Sequence, residues 1–348
     1  MRHLRKTPYM YKIKPPNKNQ LFTATLFLLA LGLYFLIFGS AFFAHLKMPE
    51  ALIAPIMALG SFVAGSTFLG GGAVAFPAVT KILHSDPNTA KTFSLAIQSV
   101  GMSSASVYIL MRVRIIPWRF FYYFLPGMAI GLLLSLVVLD VLITPNDLRI
   151  SFTLFILVFL LVYLWAFSNK DKHYTDLGPL KLMDKNLIIK AGLLGGVLSG
   201  CLGSGADLVG FCILALYFRL DLKLATQTSV ILMAITSLLG VVLQGFVFTE
   251  LDQDVKHLWL LAAPIVIIGA PLGAVFCRRV TTRSLLIFIS TIVATEVIST
   301  LILVPINLSH TPYYFALTLF SLLLLLGLHR ASKRKVHKAQ HEFREDDI

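Results

Sequence analysis

The chain of 348 residues alternates long apolar blocks with short polar connections. Blocks at 21–44, 90–111, 119–139, 150–168, 222–248, 257–277, 283–303 and 312–330 are each about 20 residues, the helix length that crosses ~30 Å of hydrocarbon. Two further blocks, 51–83 and 187–218, are too long for one crossing, and glycines interrupt both. In the first, Gly70, Gly71 and Gly72 are adjacent, and each weakens a helix by roughly 1 kcal/mol relative to alanine. The pattern predicts an all-α polytopic membrane protein whose two interrupted blocks are re-entrant pairs of short helices.

Composition agrees, with 57% of residues hydrophobic and only 14% charged. The net charge of +13 does not signal nucleic acid, because Lys and Arg occupy short loops and the termini rather than one face of a domain. Basic residues concentrate on the cytoplasmic side of membrane proteins. By that rule residues 1–20, the turn with Arg112, Arg114 and Arg119, the linker with Lys170, Lys172, Lys181, Lys185 and Lys190, the turn with Arg278, Arg279 and Arg283, and the C-terminal tail lie inside. The loops near Pro145, from Glu250 to Asp254 and from Asn307 to Pro312 lie outside. This assignment closes only if each interrupted block enters and leaves on the same side.

The expected organisation is a basic leader (1–20), an N-terminal span (21–45), repeat A (51–168), a cytoplasmic linker (169–186), repeat B (187–303), a C-terminal span (312–330) and a solvated cytoplasmic tail (331–348). The first block is too long for a signal-peptide core and reads as a retained anchor. Each repeat is a hairpin followed by three spans, one upside down relative to the other. Duplication has independent support: Leu69-Gly70-Gly71-Gly72-Ala73 matches Leu202-Gly203-Ser204-Gly205-Ala206, and Ala90-Lys91-Thr92-Phe93-Ser94 matches Ala225-Thr226-Gln227-Thr228-Ser229. Glycine-interrupted segments at corresponding positions of two halves point to a transporter's binding site.

A helix that restarts at a glycine break offers free N–H groups and the positive end of its dipole. Two such ends facing each other make an anion cradle, with Gly70, Gly71, Gly72, Gly203, Ser204 and Gly205 as its backbone. Thr92, Ser94, Gln98, Thr228 and Ser229 could complete the shell, although such side chains also satisfy their own helix backbone. Two acids fall inside apolar segments, Asp207 just after the second break and Glu296 deep in 283–303. Intramembrane acids suggest function, here proton coupling; Asp207 equally suits a helix N-cap. Lys81, His84, Lys91 and Asp140 fall near predicted ends and read as interfacial. Gly192, Gly196 and Gly200, at four-residue spacing, read as a helix-packing face, and Cys201, Cys212 and Cys277 as small packing residues. No residue set has the spacing of a metal or cofactor site, and neither HExxH nor GxSG occurs. Gly203-Ser204-Gly205-Ala206-Asp207 is one residue too long for the GxGD signature of intramembrane aspartyl proteases, so no catalytic residue is assigned.

At Gly60–Pro77 (GSFVAGSTFLGGGAVAFP) and Ala90–Ala96 (AKTFSLA), with weaker copies at Leu198–Asp207 and Ala225–Ser229, the chain resembles the sulfite exporter TauE/SafE family of membrane permeases. The resemblance runs over about residues 51–303. It implies a multi-pass inner-membrane permease, with both termini cytoplasmic, that moves a sulfur-containing anion such as sulfite, sulfoacetate or another organosulfonate by alternating access. The family's glycine break carries over onto Gly70, Gly71, Gly72, Gly203 and Gly205, and its Ala-x-x-x-Ser stretch onto Ser94 and Ser229. The second copy departs from the pattern, with Gly210 where the first has Pro77 and an acid at Asp207. The partners implied are the anion, protons and the bilayer. A cation transporter using Asp207 and Glu296 is the alternative; oligomeric state is left open.

Overall fold

The computed structural model describes residues 18–44, 50–71, 79, 83, 86–113, 115–138, 145–168, 174–247, 252–304 and 308–345. Gly72, Lys81, His84 and Asp140 lie outside them. The described residues form helices α1 (Lys18–Ala44), α2 (Ile53–Ser66), α3 (Pro87–Arg112), α4 (Trp118–Val138), α5 (Pro145–Ser168), α6 (Leu182–Leu202), α7 (Ala206–Cys212), α8 (Leu222–Val242), α9 (Gln253–Arg279), α10 (Thr282–Leu303) and α11 (Thr311–Glu345). Among them, eight helices are long and apolar enough to cross a membrane. Starts are capped as the sequence dictates: Asp221 accepts from Lys223 N at 3.0 Å, and Thr281 accepts from Ser284 N at 3.1 Å.

Contacts sort the helix ends into levels. At one level Arg278 Nη1 donates to Arg112 O (3.5 Å), Lys223 Nζ to Arg278 O (3.2 Å) and Arg219 Nε to Ser332 Oγ (2.8 Å). This joins the ends of α3 and α9, the start of α8 and the far part of α11. At another, Ile53, Val79, Ala90 and Val255 share an apolar cluster with Tyr34, joining the starts of α2, α3 and α9 to α1. The turns richest in arginine thus gather at a single end of the bundle.

The flanks of the second interrupted block are bonded to each other. Tyr174, ahead of α6, accepts from Asp221 N (2.9 Å) and donates its amide to Arg219 O (2.8 Å). Tyr217, at the end of a π-helical turn (Ile213–Tyr217) that follows α7, donates to Asp184 Oδ1 near the start of α6 (2.6 Å). Its outgoing arm is longer than a half-crossing, however: α6 has 21 residues and starts at Leu182, its first turns carrying Asp184, Lys185 and Lys190. In the first block α2 has 14 residues, and Ile53 before the break clusters with Val79 and Ala90 beyond it.

Two glycine seams hold the bundle. Along α4 and α6, a Cβ at Gly127, Gly131, Gly192 or Gly196 would fall 2.0–2.2 Å from a backbone oxygen of the opposite helix. Along α2 and α9, a Cβ at Gly65 would lie 1.9 Å from Ala270 O and one at Gly273 2.1 Å from Phe62 O. Close backbone approach of this kind provides much of the association energy between helices in lipid. Gly192, Gly196 and Gly200 all sit on the first seam, as expected. Between the seams α3 packs on α8 and also on α9, while α10 and α11 pack on α5.

α9 contains Pro264, which cannot donate to Leu260 O four residues earlier. In hydrocarbon that carbonyl needs another partner, and the Tyr34 hydroxyl of α1 donates to it. At the other end of the chain α11 continues to Glu345, so the segment expected as a solvated tail is helical as far as that residue. Its Lys, Arg, Ala, Gln and Glu residues are strong helix formers.

Gly196→Leu and Gly273→Leu should each destabilise the protein by about 1–3 kcal/mol through overpacking. Gly327→Leu, where nothing lies within 4 Å of an added Cβ, should leave the melting temperature of the purified protein unchanged. Tyr34→Phe should cost about 1 kcal/mol by stranding Leu260 O.

Candidate functional site

The two breaks meet. Phe68, at the first, stacks on Phe211 of α7 with ring centroids 4.0 Å apart, and Phe159 of α5 meets both edge-on. Gly70 adopts φ +66°, and a Cβ there would lie 2.3 Å from Asp207 Oδ2, so only glycine fits on both grounds. Gly203 adopts φ +74° and faces Ser94 of α3, whose Cβ lies 2.5 Å from where its own would be.

Gln98 of α3 joins the breaks directly. Its Oε1 accepts from Gly71 N (3.0 Å), and its Nε2 donates to Gly203 O (2.7 Å) and to Ser94 O (3.0 Å). One buried carboxamide thus bonds the backbone of two breaks 132 residues apart in sequence, from Gly71 to Gly203.

The freed amides of the second break also have partners. Asp207 Oδ1 accepts from Gly205 N (3.2 Å) and Leu208 N (3.0 Å), and Ser199 Oγ accepts from Ala206 N (2.9 Å). The N-cap of α7 is Gly205, and Asp207, expected to be an N-cap, is instead the second residue of the helix, bonding two amides of its start from within the first turn; Gly205 N, Ala206 N and Leu208 N are thus occupied by the chain's own oxygens. Asp207 is 1% exposed, and its Oδ2 has no hydrogen-bond partner among the described residues; the same holds for Ser94 Oγ. At the first break Thr67 Oγ1 donates to Val63 O (2.9 Å) and accepts from Leu69 N (3.3 Å), which closes α2.

The remaining predicted residues divide. Ser204 is buried between Gly203 and Gly205. Thr92 is buried between Lys91 and Ser94, the two residues that abut Gly203, and its Oγ1 accepts from Gln244 Nε2 (3.2 Å). Thr228 and Ser229 donate to their own helix, at Leu224 O and Thr226 O (both 2.8 Å). Glu296 is half-buried on α10, which packs on α5, and its Oε1 accepts from Thr300 Oγ1 (3.4 Å). Lys91, expected at an interface, is instead 2% exposed, and its carbonyl oxygen lies against Gly203.

Sequence reasoning missed Ser199, Thr67 and Gln244. Gln244 lies on a π-helical turn (Leu243–Val247) that follows α8, a widening often found at functional sites, and an amide in an apolar span was the available signal.

No curated protein and no solved structure matches the chain. Residues 52–300 match the model of the sulfite exporter TauE/SafE family. That stretch is more than two thirds of the chain and contains both breaks, Gln98 and Asp207. The chain therefore belongs to the sulfite exporter TauE/SafE family of membrane permeases.

Proposed function

We propose that the protein is a secondary transporter of a sulfur-containing anion (an organosulfonate, sulfoacetate or sulfite) across the inner membrane, with the anion bound where the two glycine breaks meet. The observation that carries this reading is the convergence of Gly70, Gly71, Gly203 and Asp207 around Gln98 at a buried junction between the halves. Backbone N–H groups at such a junction can receive an oxyanion without a buried lysine or arginine.

Packing supports two upside-down repeats, residues 51–168 and 187–303. The hairpin arm of each lies on the second span after the hairpin of the other: α2 on α9, and α6 on α4. Both seams are lined by glycine, and the corresponding helices α3 and α8 face each other between them. The Tyr174–Asp221 and Tyr217–Asp184 contacts support a re-entrant second hairpin, and the Ile53–Val79–Ala90 cluster a re-entrant first one. On this topology the arginine-rich end is cytoplasmic, as are both termini.

Proton coupling follows from Asp207. While charged, it fills the second break with negative charge; protonated, it admits the anion. For a cation site shared by Asp207 and Glu296, the bond seen at Glu296 is to Thr300 of its own helix, whereas Asp207 bonds the start of α7.

Three outcomes test the reading. In a melting series over sulfite, sulfoacetate, taurine and benzenesulfonate, at least one should raise the melting temperature saturably; a response to metal cations alone would reject anion transport. Gly71→Leu, whose Cβ would begin 3.0 Å from Gln98 Cγ, should abolish that response in protein that remains folded. In proteoliposomes Asp207→Asn should remove the dependence of anion flux on an imposed pH gradient, and flux that still follows the gradient would assign coupling elsewhere.

A further inference from the structure

At the junction the Gly71 N–H is held by Gln98 Oε1 at 3.0 Å, so a carboxamide oxygen stands where an oxyanion would accept that bond. Gln98 is 2% exposed and has three hydrogen bonds, all to backbone groups and none to a side chain. They are unequal. Ser94 O stands four residues before Gln98, so it is also the normal acceptor of the Gln98 amide within α3, and its bond to Nε2 is a second, weaker claim on one oxygen. Gly203 O and Gly71 N belong to breaks outside regular helix, and neither has a partner in a helical ladder.

Two buried polar atoms point to a ligand site at the junction. Ser94 Oγ and Asp207 Oδ2, each at least 99% buried, border the junction with no hydrogen-bond partner among the described residues, whereas buried polar atoms are normally satisfied. Beside Gln98 and Gly71, a cavity between α2, α3 and α9 has room for about one water molecule and is lined in part by Met57, Ser61, Met102 and Val266.

We propose that Gln98 is a displaceable self-ligand of the anion site: its Oε1 holds the Gly71 N–H, and the incoming anion takes that N–H as the carboxamide gives it up. This rests on the function proposed above. Gln98 is thus a positioning residue that competes with the anion, and the competition keeps a buried amide satisfied through the part of the cycle with no substrate bound. A direct substrate ligand would act in the opposite sense, since removing it weakens binding.

The test is a sulfite and sulfoacetate titration of the full-length protein, read as the melting-temperature rise against sodium chloride at matched ionic strength. Wild type should respond saturably. Gln98→Ala should lower the half-saturating concentration about two- to tenfold, the weight of one net hydrogen bond. Gln98→Met, which fills the volume without an amide, should do the same and decides the matter if the alanine variant is unfolded. Gln98→Glu, placing a carboxylate at Gly71 N–H, should abolish the response. Weaker binding by both the alanine and methionine variants in the presence of a wild-type response overturns the self-ligand alone, as does failure of both to fold, which would make Gln98 a structural cross-link. No response by wild type to either anion removes the anion site and the self-ligand together.

Discussion

A backbone N–H or C=O that leaves a helical ladder within hydrocarbon must find another partner, because water is absent and each unsatisfied group costs several kcal/mol. Much of the architecture around the breaks answers that demand. Thr67 closes α2, Ser199 and Asp207 hold the first amides of α7, and Gln98 serves one group from each break. Tyr34 does the same for the carbonyl released by Pro264. Glycine makes the breaks geometrically possible, with positive φ at Gly70 and Gly203, but the polar side chains around them are what make them tolerable in lipid.

The packing determines what the breaks can do. Each arm leading to a break is bound, backbone against backbone, to a helix of the other half. On the inverted-repeat reading, each half therefore carries one wall of the other's hairpin. Rocking of the halves would move the breaks with the seams rather than against them. Glycine seams suit this because their contacts are between backbones, which keep their shape, and not between flexible side chains that would repack. The Phe68–Phe211 stack between the breaks is a different kind of contact, between side chains, and is the part of the junction most able to slide.

Much of this was legible in the sequence, and the illegible part has a physical cause. Span lengths, the glycine breaks and the packing role of Gly192, Gly196 and Gly200 follow from periodicity and composition, which report burial directly. Gln98 could be named from its place one turn past Ser94, but not its bonding, because a 132-residue contact between Gly71 and Gly203 leaves no local trace. Lys91 misled because charge is a good guide to membrane depth only when the side chain faces lipid or water, and it faces neither. The full length of α6 was obscured by Asp184, Lys185 and Lys190, which interrupt apolarity without interrupting the helix. Thr228 and Ser229 illustrate an ambiguity that sequence cannot remove, since a hydroxyl bonded to its own helix looks the same as one awaiting a ligand.

An acid at the centre of an anion permease presents an electrostatic problem with a definite size. Two like charges about 4 Å apart repel by about 4 kcal/mol at the effective dielectric of a protein, enough to lower affinity nearly a thousandfold. Asp207 borders Gly70 and bonds the Gly205 amide of the second break, so on the proposed reading an anion at the junction comes within that range. Dissipating the repulsion by distance would require moving the start of α7, which the Ser199 hydroxyl holds at Ala206 N. Neutralising the carboxylate requires only a proton, and the unpartnered Oδ2 is the oxygen to receive it. Once protonated, Asp207 still accepts through Oδ1, so the helix start survives the change of charge. On that reading, coupling of proton and anion needs no further machinery: one carboxyl group, kept in place for a structural reason, would make entry of the second species conditional on the first.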